Sequence, residues 1–134
     1  MEQSTGMLSL AEFGNWLDAY GAAWEAGDAD AAVELFTDDA EYHETPFAAP
    51  MVGAKDIHRY WVEGAGEAQK DVKFSHEALA VAGNVGLARW HASFVRIRTG
   101  KHVELDGFLL AEFARAGKCS VFREWWHRRE TIDE

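Results

Sequence analysis

Cysteine and long hydrophobic runs are scarce in this chain of 134 residues. The single cysteine, Cys119, excludes an internal disulfide and a cysteine-rich metal site. No apolar run approaches the ~18 residues of a membrane-spanning helix, and the N-terminal sequence MEQSTG has neither the basic start nor the apolar centre of a signal peptide. We therefore expect a cytoplasmic protein without a membrane partner.

Positive charge is also in short supply, with 13 Lys and Arg against 23 Asp and Glu and a formal net charge of −10. A surface with this balance repels nucleic acid at long range. The six histidines occur at no spacing that is typical of a metal site, and no glycine-rich phosphate loop is present. These absences predict no nucleic-acid partner, no metal and no cofactor.

Aromatic residues, by contrast, are plentiful: six Trp, eight Phe and three Tyr. Such side chains bury large areas, and they also line pockets for apolar ligands. Hydrophobic residues make up 48% of a chain that is long enough for one domain with a core. We expect a single domain over residues 1–134, with 1–8 and 130–134 as loose termini.

The first half of the chain predicts three helices and one short strand. An apolar stripe at helical spacing contains Leu10, Phe13, Leu17, Tyr20 and Trp24. This helix should end at Gly27, because a glycine readily takes the left-handed conformation of a C-cap, and Asp28 should cap a second helix over 29–36. A strand over 39–44 and a proline-bounded loop then lead to a third helix, which begins near Gly53.

The second half predicts four long strands. Its turn signals are Gly83-Asn84, Thr99-Gly100 and Ala116-Gly117, and the strands between them lie near 72–82, 85–98, 101–114 and 118–128. Such short connections are typical of antiparallel hairpins. Helices followed by strands indicate an α+β fold, in which the helices cover one face of the sheet.

The two faces of these strands differ in composition. On the third long strand, alternate positions give one wholly apolar face: Val103, Leu105, Gly107, Leu109, Ala111 and Phe113. Trp90, Ala92 and Phe94 match it on the preceding strand. The small residues among these aromatics predict a hollow beneath the sheet, while the opposite face, with Phe108 and Leu110, suits a partner subunit. Periodicity alone does not decide whether Glu124 on the last strand faces inward or outward.

The segment AYGAAWEAGDADAAVELFTDDAEYHETPFAAPMVGAKDIHRYW, together with the final FREWW, resembles the NTF2-like superfamily of ketosteroid isomerases and SnoaL-like polyketide cyclases. The resemblance extends over nearly the whole chain. It implies a cone, with a curved antiparallel sheet of four long strands plus a short one wrapped around three N-terminal helices. It also implies an apolar pocket for a small hydrophobic ligand or substrate, and a homodimer formed through the outer face of the sheet.

Aligned with a ketosteroid isomerase, this chain carries part of the catalytic pattern. Tyr20 matches the oxyanion-hole tyrosine and Glu44 matches the general-base carboxylate. The second oxyanion donor, an aspartate, corresponds here to Leu109, and the nearby Asp106 has the opposite parity on its strand. Steroid isomerisation by that route is therefore not expected. From the resemblance and strand parity together, the predicted pocket lining is Trp24, Tyr42, Trp61, Phe74, His76, Trp90, Phe94, Leu105, Leu109, Phe122 and Trp126.

Three residues are the candidates for catalysis: Glu44, Tyr20 and Glu124. A carboxyl group at the mouth of an aromatic pocket gains a raised pKa by desolvation, which suits Glu44 to proton transfer. If Glu124 faces the same pocket, the two carboxyl groups cannot both ionise cheaply, and one becomes an acid. The alternatives stay open: Glu44 as a solvent-facing residue, Tyr20 as a core residue, and Glu124 neutralised on the surface by Arg123 and Arg128.

Two classes of function follow from these residues. In the first, Glu44 moves a proton or activates water while Tyr20 stabilises an oxygen, as in an isomerase, cyclase or hydrolase, with His76 as a further proton-transfer partner. In the second, the pocket carries or senses a ligand without chemistry, which Leu109 in place of an acid favours. A dimerisation module with a filled pocket is a third, weaker alternative.

Overall fold

Two helices joined at a left-handed glycine begin the fold in the computed structural model, which describes residues 7–114 and 117–131. Helix α1 (Leu10–Ala26) begins at Ser9, where the Glu12 N–H donates to Ser9 and the Ser9 N–H donates to the Glu12 carboxylate. It ends at Gly27, whose φ is 65°. The Ala31 N–H donates to the Asp28 carboxylate at the start of α2 (Ala29–Val33). Both predicted caps are confirmed.

The sheet has six strands in the order β2-β1-β6-β5-β4-β3. Their bounds are β1 (Phe36–His43), β2 (Met51–Val52), β3 (Gln69–Ala82), β4 (Val85–Arg96), β5 (His102–Phe113) and β6 (Cys119–Thr131). Helix α3 (Ala54–Trp61) follows β2 and continues into a π-helical turn over Val62–Gly66. The α+β fold class and the curved sheet of the NTF2-like cone are confirmed.

Three details differ from the prediction. A two-residue strand, β2, pairs with β1 and brings the sheet to six strands where five were expected. The pairing of β1 with β6 is parallel, so the sheet is mixed, whereas all other pairings are antiparallel. Parallel pairing of distant segments leaves no hairpin signal in the sequence. The second helix is also shorter than expected, because Phe36 already pairs with Cys119 as the first residue of β1.

The inner face of the sheet carries the core. On β5 the residues Val103, Leu105 and Leu109 are buried, as their alternation predicts. On β6 the buried residues are Cys119, Phe122 and Glu124. The next residue, Trp125, is 45% exposed. Glu124 therefore faces inward, which decides the question that periodicity left open.

The hollow beneath the sheet lies at one end of the inner face, and the small residues from which it was predicted, Ala92, Gly107 and Ala111, do not line it. The ring of Phe13 packs onto Gly86, and a Cβ at Gly86 would lie 2.7 Å from it. At Gly107 a Cβ would lie 2.0 Å from the Trp125 carbonyl oxygen, so β5 approaches β6 there in a way that only glycine permits. Close packing, by rings in one case and by backbone in the other, uses the space that these glycines leave.

The ends of the described chain are attached to the sheet. The Leu8 N–H donates to the Gly83 carbonyl at 2.9 Å, and β6 continues to Thr131. The remaining positions of the predicted loose termini, 1–6 and 132–134, lie outside the described residues. Within the described ranges, no helix combines the length and apolar character needed to cross a membrane.

Candidate active site

A cavity of about 280 Å³ lies between the helices and one end of the inner sheet face. Helix α1 contributes Tyr20 and Trp24, which are four residues apart and therefore on the same helix face. Strand β6 contributes Glu124 and Trp126, which alternate with outward-facing residues. The small residues of the π-helical turn, including Gly64, form part of the opposite wall. The cavity thus lies at one end of the sheet, beside the small residues of the π-helical turn that follows α3.

Three oxygen atoms form a closed cluster on the buried side of this cavity. The hydroxyls of Tyr20 and Tyr42 lie 2.8 Å apart, and they lie 3.1 and 3.0 Å from Oε2 of Glu124. Both phenols can donate to the Glu124 carboxyl group. A proton on Glu124 supplies a third hydrogen, so that all three contacts can be hydrogen bonds. The geometry is therefore compatible with a protonated Glu124 carboxyl group.

Burial acts on Glu124 in the same direction. Its side chain is 6% exposed, and desolvation raises its pKa to about 8, with a smaller contribution from the negative charge of Glu44. The hydrogen bonds from Tyr42 and Tyr20 oppose this change without cancelling it. Desolvation and Glu124 also raise the pKa of both tyrosines well above its ordinary value. At neutral pH this cluster is a set of proton donors.

Glu44 is the second carboxyl group in the cavity. The Tyr60 hydroxyl donates to its Oε2 at 2.9 Å, and the Trp126 indole N–H donates to its backbone carbonyl at 3.0 Å. Glu44 follows β1, and the parallel pairing of β1 with β6 brings it beside the strand that carries Glu124. Unlike Glu124, it is only half-buried. Burial raises the pKa of Tyr60 well above its ordinary value, so Tyr60 remains a donor to this carboxylate.

A family model for the SnoaL-like domain matches residues 17–122, which include most of the cavity lining. The chain belongs to the SnoaL-like domain family. The sequence resemblance to the NTF2-like superfamily is thereby confirmed. No curated protein matches the chain in sequence.

Solved structures share the fold of this SnoaL-like domain. The epoxide hydrolase/cyclase-like enzyme SalBIII, described in pyran ring formation in the polyether salinomycin, superimposes with a TM-score of 0.76 at 18% identity, over 87% of this chain and 92% of its own. A type 2 hexachlorocyclohexane dehydrochlorinase (LinA) superimposes with a TM-score of 0.75 at 10% identity, over 91% of this chain and 88% of its own. At these identities the likeness concerns the fold alone.

Most of the predicted site residues line the cavity of this SnoaL-like domain: Tyr20, Trp24, Tyr42, Glu44, Trp61, Phe94, Leu105, Glu124 and Trp126. Five others do not: Phe74, His76, Trp90, Leu109 and Phe122. Strand alternation predicted that these five side chains face inward. The cavity occupies only one end of the inner face, so an inward-facing side chain does not always line it. Phe122 instead stacks beneath Tyr42, with ring centroids 4.7 Å apart, and Leu109 is buried in the core.

The structure does not place His76 at the cavity, where its predicted role in proton transfer would require it to be. Its Nε2 lies 2.7 Å from a carboxylate oxygen of Asp18 on α1, and its Nδ1 is buried without a hydrogen-bond partner among the described residues. His76 does not line the cavity. It connects α1 to β3 in this SnoaL-like domain.

Several lining residues of the SnoaL-like domain were missed by the sequence analysis. Tyr60 precedes the predicted Trp61 on α3, and Gln69 accepts from the Trp24 indole N–H at 2.7 Å. Arg96 and Arg128 continue the inward parity of Phe94 and Trp126 by one step each. Extending the alternation to the strand ends would have found both arginines. Among the described residues, no group of three or more His, Cys, Asp or Glu side chains could hold a metal ion.

Proposed function

We propose that this protein is a cofactor-independent acid–base catalyst that acts on a small, largely apolar substrate with a carbonyl or epoxide oxygen. The observation that carries the proposal is the presence of two carboxyl groups with different environments in one cavity. Glu124 is buried against two phenols and holds its proton at neutral pH. Glu44 is half-buried and accepts a hydrogen bond from Tyr60. When two carboxyl groups in one site have environments as different as these, one acts as the acid and the other as the base.

In this mechanism Glu124 is the acid. It donates its proton to the substrate oxygen, and Tyr20 and Tyr42 then donate hydrogen bonds to the carboxylate that remains. The aromatic walls formed by Trp24, Trp61 and Trp126 exclude water, which strengthens these interactions. The tyrosines thus stabilise the charge that forms on the enzyme during the step.

Glu44 is the base in the same step. Its carboxylate removes a proton from carbon in an isomerisation, or from a hydroxyl group or water that attacks an epoxide or carbonyl carbon in a cyclisation or hydrolysis. In a hydrolysis or cyclisation one proton enters the substrate from Glu124 and one leaves it to Glu44, and the cycle is completed when a proton passes from Glu44 back to Glu124 through solvent. In an isomerisation the first step gives an enol. Glu44 then returns its proton to another carbon and the enol oxygen returns its proton to Glu124, so both groups recover their starting states. Ring formation by the structurally similar SalBIII supports the cyclase and epoxide alternatives.

Ligand binding without turnover is the second candidate function. The observation that favours it is the closed three-oxygen cluster, because Glu124, Tyr20 and Tyr42 satisfy one another and need no substrate to complete them. A pure dimerisation module is less well supported, because the cavity of about 280 Å³ is large enough for a small ligand.

A thermal-shift screen of hydrophobic ketones and epoxides, followed by turnover assays of the hits, tests the proposal. Specific ligands raise the melting temperature by mass action. Glu44→Gln should lose turnover by about 100-fold or more, the usual contribution of a positioned base, with ligand affinity unchanged. Glu41→Gln is the matched control, because Glu41 lies on the preceding strand β1 and its carboxylate contacts His43 rather than the cavity. Ligands that bind but are turned over by neither wild type nor variant would favour the carrier; equal turnover in wild type and Glu44→Gln would refute Glu44 as the base.

We further propose that the outer sheet face forms a homodimer. Phe108 and Trp125 are paired across β5 and β6, and both side chains are nearly half exposed. Leu87 and Leu110 lie beside them on the same face. A contiguous apolar strip of this kind on a protein with a net charge of −10 is typical of an interface between subunits.

A further inference from the structure

We propose that the open end of the cavity is a carboxylate-binding site formed by Arg96 and Arg128, and that the substrate is an apolar molecule with a carboxylate at one end. This inference rests on the proposed function only in assigning the substrate to the same cavity. Both arginines line the cavity together with the aromatic walls and Glu124. Their side chains are 32% and 50% exposed, whereas Glu124 is 6% exposed. The cavity is therefore polarised, with an acid at its buried end and cations at its open end.

The arginine pair is held in position before a ligand arrives. Arg96 donates through Nε and Nη2 to the two carboxylate oxygens of Glu130, at 3.2 Å each. Arg128 lies with its Nε 3.3 Å from the same carboxylate. The Arg96 guanidinium also stands over the Phe94 ring, 5.8 Å from the centroid. Groups that are ordered in advance lose less entropy on binding, which favours recognition at this point.

Charge at the open end favours an anion. Two guanidinium groups share one carboxylate, and the hydrogen bond from Arg96 lowers the pKa of Glu130, which keeps it ionised. The three side chains Arg96, Arg128 and Glu130 together carry one net positive charge, in a protein whose net charge is −10. A guanidinium has five N–H donors, and the contacts with Glu130 use Nε and Nη2 of Arg96 and Nε of Arg128. Terminal N–H groups of both arginines remain for a ligand carboxylate, the partner whose planar geometry they fit best.

The strand geometry sets the length of the ligand. Glu124 and Arg128 are four residues apart on β6, which corresponds to roughly 13 Å between their Cα atoms at about 3.3 Å per residue. Trp126 lies between them on the inner face, and Leu105 pairs with Arg128 on the neighbouring strand. A ring with a short aliphatic chain spans this distance, with its carboxylate at the arginines and its other end near Glu124.

Isothermal titration calorimetry with 5-phenylpentanoate and its neutral amide, 5-phenylpentanamide, tests the proposal. Wild type should bind the acid about tenfold or more tightly than the amide, because hydrogen bonds between charged groups are the strong ones. Arg96→Gln and Arg128→Gln should each weaken binding of the acid about tenfold and leave the amide unchanged. Arg129→Gln is the matched control, since Arg129 is adjacent in sequence but bonds to Glu104 on the outer face. It should bind both probes as wild type does.

Removing the competing carboxylate gives a change in the opposite direction. Glu130→Gln should tighten binding of the acid several-fold, because Glu130 no longer occupies both arginines. Glu124→Gln should keep the preference for the acid even though it loses turnover, so failure of this inference and failure of the catalytic proposal are distinguishable. Equal affinity for the two probes in wild type, no binding of either, or equal weakening of both probes by the arginine variants would overturn the carboxylate site.

Discussion

The protonated Glu124 makes a quantitative prediction about stability and pH. In the unfolded chain this carboxyl group has an ordinary pKa of 4.5, whereas burial raises the folded-state value to about 8. Between these two values the folded protein holds a proton that the unfolded chain releases, so the free energy of unfolding falls as pH rises. At about 1.4 kcal/mol for each pH unit, the total loss from this one group is roughly 5 kcal/mol. The stability that the proton provides is complete below pH 4.5 and is lost as the pH approaches 8.

Glu124→Gln removes this dependence while keeping the size of the side chain and its ability to bond to both tyrosines. The measurement is guanidinium unfolding of wild type and variant at intervals from pH 5 to pH 9, which gives the difference in unfolding free energy at each pH. The variant should be similar to wild type or slightly less stable at pH 5, and more stable by several kcal/mol at pH 9. Taking the difference between the two proteins cancels the titration of all other groups.

A matched control is Glu112→Gln, on the neighbouring β5, where the residue faces away from the core. Its difference from wild type should stay constant from pH 5 to pH 9. If the difference for Glu124→Gln is also constant over this range, Glu124 is ionised in the folded protein. The assignment of Glu124 as the acid would then fail.

Two further predictions concern the sheet. Gly107→Ala should destabilise the protein by about 2 kcal/mol or more in the same unfolding assay, because its Cβ would meet backbone atoms of β6. Gly14→Ala, in the middle of α1 with open space around its Cβ, should instead stabilise by up to about 1 kcal/mol, and equal effects of the two would contradict the close approach. Trp125→Glu should shift the protein from dimer to monomer in sedimentation velocity, whereas Leu10→Glu, exposed on α1 away from the strip, should not. A monomeric wild type would refute the interface.

Local chemistry explains what the sequence predicted well. Gly27 and Asp28 mark a helix end and a helix start because their conformation and hydrogen bonding depend only on neighbours in the chain. The inward residues of β5 follow from strict alternation, which is also local. The apolar stripe of α1 was only partly informative: Leu10 is half exposed, while Trp16, which was outside the predicted stripe, is buried.

Contacts between distant segments explain what the sequence did not reveal. The side chains of Tyr20, Tyr42 and Glu124 meet in one cluster, although Tyr20 and Glu124 are 104 residues apart in the sequence. Only the pairing of β6 with β1 and β5 shows which of its side chains face inward. The extent of the cavity depends on where α3 ends and which rings pack into the core. Phe122 and Trp90 therefore became core residues, and Arg96 and Arg128 became lining residues.

The position of β6 has a consequence for how the protein is made. Among the described strands β6 comes last in the sequence, yet it lies between β1 and β5. Without it, β2-β1 and β5-β4-β3 are two unconnected pieces of sheet. A nascent or truncated chain that ends before Cys119 therefore lacks both Glu124 and the strand that joins the two pieces of sheet. Glu44 and Glu124 can line one cavity only in a chain whose sheet is complete.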